Sequence, residues 1–139
     1  MDANAIATWI SNTAAGVSGI RGASPTPLDS IPITPYAVVG PIAGATVIPG
    51  SWERVHLPYP LRIYVGRISG AGRDDNLVLS LVNGLIAAFR LGGTESGTVA
   101  SSLLTHFDTA LMEELGGEAY RVIDATVEVV VNSGSGYTP

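Results

Sequence analysis

The stretch from Asp74 to Arg90 constrains this chain most, because it reads as an amphipathic helix with both ends specified. Asp74, Asp75 and Asn76 offer side-chain oxygens to the free N–H groups of a first turn, where negative charge is also favoured. Leu77, Val78, Leu81, Val82, Leu85 and Phe89 recur at helical spacing and make one wide apolar face. Arg90 suits the last turn, and Gly92-Gly93 is a stop signal. Burying those large side chains contributes roughly 10–15 kcal/mol gross, before entropy is subtracted. The remaining positions (Ser80, Asn83, Gly84, Ala87) are only lightly polar, so the helix is expected to be covered on more than one side.

A chain of 139 residues suggests one domain able to bury a core without staples. It contains no cysteine, so disulfides and thiolate chemistry are excluded. Two histidines, His56 and His106, are too few for a usual zinc site. Net charge is −5 and every basic residue is arginine, a balance that disfavours general nucleic-acid affinity. Met1-Asp2-Ala3-Asn4 lacks the basic start of a secretory signal. No apolar run approaches the ~20 residues that span a bilayer. The expectation is a soluble protein, cytoplasmic at synthesis.

Residues 3–15 read as a helix, with Ala5, Ile6, Trp9, Ile10 and Thr13 on one side and Gly16 and Gly19 closing it. Trp9 is either a core anchor or a docking residue. Four prolines between 21 and 35 make that segment extended or looped. Short strands are expected at 36–40 and 46–48, the latter followed by a Pro49-Gly50 turn. Ser51 to Pro60, rich in large and charged side chains between prolines, reads as a protruding loop or arm. The other reading is a strand with Trp52, Arg54 and His56 on one face and Glu53, Val55 and Leu57 on the other.

Leu61 to Ile68 alternates as a strand. Ser69-Gly70-Ala71-Gly72-Arg73 lacks a Gly-Lys-Ser/Thr or a full dinucleotide fingerprint, so a connector is preferred to a phosphate loop. Val99, Leu103, Phe107, Ala110, Leu111 and Leu115 form a stripe that predicts a second helix over 98–115, capped by Thr98 and stopped by Gly116-Gly117. Arg121 to Val131 is a clear strand, with Ile123, Ala125, Val127, Val129 and Val131 on one face. Residues 132–139 read as a flexible tail. The fold class expected is α+β: a single domain over 1–131, its mixed or antiparallel sheet packed by helices on one face.

No catalytic constellation emerges. Ser102 and His106 could meet on a helix, but Asp108 would point elsewhere and no nucleophile elbow is present. Glu53 and His56 lack further metal ligands nearby. Asp74-Asp75 is accounted for by capping, and Glu113-Glu114 with Glu118 reads as a solvated acidic patch.

The order of features carries a family resemblance. It consists of the N-terminal helix, the proline-rich crossing segment and the Trp-containing arm Ser51-Trp52-Glu53-Arg54. After these come the strand Pro60 to Val65, the helix from Asp75 and the terminal strand Tyr120 to Val129. In layout, over roughly residues 1–131, the chain resembles the small neck proteins of tailed bacteriophages, in particular the tail terminator family. That resemblance implies a non-enzymatic virion protein with no cofactor and no metal. Such proteins form a hexameric ring that caps the tail tube, stops its polymerisation and joins it to the head. The partners implied are identical subunits, the tail tube protein and head-tail connector proteins. DNA passes through the lumen without specific binding, and no membrane is involved. The location implied is the virion neck, with the host cytoplasm during assembly. On this reading Trp52, Arg54, His56 and Tyr59 are interface residues, having the aromatic and arginine content favoured at interface centres. Asp124 and Glu128 are candidate lumen-facing residues. The alternatives are another connector (adaptor or stopper), a small ligand-binding α+β domain with a closed pocket, and an enzyme of unrecognised family.

Overall fold

The computed structural model describes residues 3–42, 46–48, 54–89 and 99–132. Two long strands set its frame. β4 (Arg54–Arg67) and β6 (Glu118–Asn132) pair antiparallel from Arg54 opposite Asn132 to Arg67 opposite Tyr120, with one irregularity between Tyr64 and Gly66. β1 (Gly22–Ser24) runs parallel to β2 (Tyr36–Val39), and every other pairing is antiparallel. Among the described residues the sheet is six-stranded and mixed, in the order β1-β2-β4-β6-β5, with β3 (Thr46–Ile48) also on β4. β5 (Val99–Leu115) is its long outer strand.

Helices α1 (Ala3–Ala15) and α2 (Asp75–Phe89) cover one face of the sheet. Period-two alternation puts Leu57, Tyr59, Leu61, Ile63 and Val65 of β4 beneath them, beside Ile123, Ala125, Val127, Val129 and Val131 of β6. Ile6, Ile10, Leu81, Leu85 and Phe89 close this core from above. Trp9 lies partly buried against it, its ring edge-on to Phe89 at 6.2 Å between centroids, as a core anchor requires. The opposite face carries a smaller cluster of Val38, Tyr64, Tyr120 and Val122, packed by Leu28 and Ile31 of the proline-rich segment. The fold is α+β, as the alternation and periodicity predict.

α2 starts where the capping residues place it: Asp74 Oδ1 accepts the Leu77 N–H at 3.1 Å. Arg90, Gly92 and Gly93 lie outside the described residues, as does the tail beyond Asn132; Asn132 itself ends β6.

Two expectations are corrected. Residues 99–115 form strand β5, not a helix. Three bulges against β6, at Val99/Ser101, Leu104/His106 and Asp108/Leu111, each interrupt the two-residue period. The slips divide the apparent stripe between the two faces: Phe107 lies opposite Ala125 on the helix-covered side, and Leu103 and Leu111 lie opposite Glu128 and Val122 on the other. Gly116 and Gly117, at φ +60° and +82°, form the two-residue hairpin turn between β5 and β6 instead of a helix stop.

The second correction concerns the expected arm. From Arg54 onward it is the first half of a central strand, and Ser51 to Glu53 lie outside the described residues. Pro58 and Pro60 are tolerated for a local reason. Among the described residues β3 pairs with 54–56 and β2 with 61–64, which leaves a gap on that edge of β4. The Gly40 N–H donates to the Pro60 carbonyl at 2.8 Å, so the polar backbone groups of Pro60 face this gap. Pro58, two residues earlier, shares the direction, and neither proline removes a ladder bond.

Candidate functional site: the open sheet face and the β5 flank

Side chains of β4 that alternate away from the helices meet polar partners on β5 and β6. Arg62 Nη1 donates to Glu113 Oε2 at 2.6 Å, and Arg62 Nε lies 3.4 Å from Asp124 Oδ1. The Tyr64 hydroxyl donates to the same Glu113 oxygen at 3.0 Å. Burial works against the Arg62 charge, but Glu113 and then Asp124 outweigh it and hold its pKa above the ordinary value. Burial, then the hydrogen bond to Glu113, raises the Tyr64 pKa above 10.0. Beside this network is a pocket of about 430 Å³, walled by Leu28, Val38, Pro41, Pro60 and Leu115.

Farther along the face, His56 Nδ1 and Glu128 Oε1 are 2.8 Å apart. Register puts Asp108 beside Asp124, which is beside Arg62. Asp108, Glu113, Asp124 and Glu128 therefore share this face with Arg62, His56 and His106, and carboxylates outnumber guanidinium groups. The face is net acidic.

A different surface lies along β5 and α2. Leu79 and Ile86 of α2 are exposed, and so are Phe107 and Met112 of β5; Leu103, also exposed, lies opposite Glu128 on the acidic face. After Asp75, the exposed positions Asn76, Leu79, Ser80, Asn83, Ile86, Ala87 and Ala88 of α2 contain no charge. Helical spacing places Leu79 and Ile86 on the flank shared with Asp75, whose Oδ1 takes Arg121 Nη1 of β6 at 3.0 Å. Phe107, opposite Ala125, points to the same helix-covered side. An uncharged flank thus adjoins the outer edge of the sheet.

Of the residues expected to serve a site, Asp124 and Glu128 are on the open face, paired with Arg62 and His56. His56 is on that face too. Tyr59, expected at an interface, is buried among the core residues and donates its hydroxyl to the Ala3 carbonyl at 2.9 Å, because its strand position points under α1. Arg54 opens β4; Trp52 lies outside the described residues. Ser102 is buried on the helix side, at the Phe89 carbonyl, while register puts His106 on the open face with Thr126. These two cannot act together. Among the described residues no three His, Asp or Glu side chains gather as a metal site. Arg62, Tyr64 and Glu113 escape sequence reasoning as a unit, because the stripe over 98–115 assigns Glu113 to a helix. The outward alternation of Arg62 and Tyr64 is the signal that points to them.

No protein-family model matches the chain, and no curated protein matches it.

Proposed function

We propose that the chain is a structural protein of a tailed-phage neck, a tail terminator whose copies form a ring that caps the tail tube and joins it to the head. The observation that carries this reading is the uncharged flank of α2 beside the exposed apolar side chains of β5. A lone soluble domain rarely leaves such a surface uncovered. A head-to-tail contact through it closes into a ring when the rotation is right. The acidic open face suits a lumen, since carboxylates such as Asp124 and Glu128 repel passing DNA and let it slide. An adaptor or stopper of the same neck would use the same surfaces.

The test is negative-stain microscopy of the purified protein, alone and mixed with tail tubes. Uniform rings, or density capping one tube end, are expected. A compact monomer that ignores tubes would overturn the reading. It would transfer the weight to a small-ligand domain, which the pocket beside Arg62 and Glu113 favours.

A further inference from the structure

The glycine-rich loop after β4 reads as a connector from sequence, yet the fold gives it company from a distance. Ser69, Gly70 and Ala71 share a cleft of about 380 Å³ with Arg21, Arg67 and Thr34. Both charged residues lining it are cations, in a chain with 12 acidic side chains against 7 basic ones.

Arg21 lies just ahead of β1, its N–H bonded to the Pro35 carbonyl at 2.8 Å, and Arg67 ends β4. β2 separates their strands, a span of roughly 10 Å, within the combined reach of two arginine side chains. Neither guanidinium is firmly neutralised. Arg21 has no ion pair among the described residues. Arg67 Nε is 3.7 Å from Glu118 Oε2, and those side chains are 60% and 46% exposed, which makes a weak pair. The loop itself is held in place. Arg73 Nε donates to the Ile68 carbonyl at 2.9 Å, and a Cβ on Gly72 would come within 2.6 Å of the Gly66 carbonyl oxygen. Glycine at 72 thus serves close packing of the loop on β4.

We propose that this cleft binds a phosphate dianion, the terminal group of a phosphomonoester, between the Arg21 and Arg67 guanidiniums. Ser69 and Thr34 line the same cleft, and their hydroxyls would supply further donors. Two fixed positive charges match a dianion better than the single charge of a phosphodiester, and guanidinium binds phosphate oxygens bidentately. The phosphate source is free inorganic phosphate or a small phosphorylated molecule, and the experiment separates these from a phosphodiester backbone. The inference stands apart from the ring reading.

The experiment titrates ¹⁵N-labelled full-length protein at constant ionic strength with inorganic phosphate, AMP, adenosine and a short DNA duplex. Saturable shifts at Arg21 and Ser69 to Gly72 are expected with phosphate and AMP and not with adenosine. Arg21→Gln/Arg67→Gln should weaken AMP binding by about 100-fold, roughly tenfold for each charged hydrogen-bonding partner. Thr8→Glu/Asn12→Glu, on the exposed side of α1, changes net charge equally and should leave the affinity unchanged. If the double arginine variant fails to fold, Ser69→Glu, which sets a carboxylate at the cleft, must produce the loss instead. Shifts absent from the cleft, an unchanged affinity in the variants, equal weakening by the control, or a response to the duplex alone would each overturn the proposal.

Discussion

Replacing Leu85 and Leu79 separately by alanine tests the orientation of α2 with chemistry, helix and unfolded-state effects held nearly constant. Leu85 is fully buried in the core beneath α2, whereas Leu79 is 58% exposed on the same helix. Leu85→Ala loses its transfer free energy and leaves a cavity among rigid strands, about 3–4 kcal/mol. Leu79→Ala loses less than half of a leucine's burial and leaves no cavity, ~1 kcal/mol or less. In a chain of 139 residues, with each kcal/mol moving Tm by roughly 3–5 °C, the melting shifts should be about 9–20 °C and under ~5 °C. Urea titrations at low protein concentration should show a lower midpoint with little change in slope for Leu85→Ala. Equal losses, or a larger loss at Leu79, would refute the placement of α2. On the proposed ring reading the order should invert at high concentration: Leu79→Ala should weaken self-association in sedimentation while leaving the fold intact.

Four further outcomes follow from named contacts. The folded state holds the Tyr64 proton more tightly than the usual pKa of 10.0, so its contribution to stability is complete below that pH and is lost as pH rises through the raised value. Tyr64→Phe should therefore flatten the alkaline fall in stability measured by denaturant titration from roughly pH 9 to pH 12, a window set about that reference. Gly84→Ala should destabilise despite alanine's better helix propensity, because its Cβ would meet Val17 Cγ1 at 2.6 Å; a rise in Tm would show that Val17 yields. Asp74→Ala should cost about 1 kcal/mol through loss of the Leu77 cap, and Asp74→Asn should recover most of it in thermal melts. On the proposed neck reading, charge reversal at Asp124 and Glu128 should slow DNA ejection from phage while ring assembly continues, and unchanged ejection kinetics would count against a lumen role for them.

Elements whose periodicity is uninterrupted are legible in the sequence. α1, α2, β6 and the later half of β4 repeat at 3.6 or 2 residues and carry their own caps and turns, so local physics suffices. The candidate site is less legible. Alternation along β6 puts Asp124 and Glu128 on the face opposite the core, where they lie, but Glu113 joins Arg62 only because β5 is a strand.

By itself, then, the sequence determined an α+β domain with a helix-covered sheet, because burial of periodic apolar faces is a nearest-neighbour property of the chain. Tertiary structure alone decided three things. It made residues 99–115 an edge strand, since each bulge is defined only against β6 and erases the alternation that would reveal it. It drew Pro58 and Pro60 into a central strand, since the gap between β2 and β3 is invisible along the chain. It also brought Arg21 to Arg67 across β2, a juxtaposition set by strand order, which depends on long-range pairing and not on local pattern.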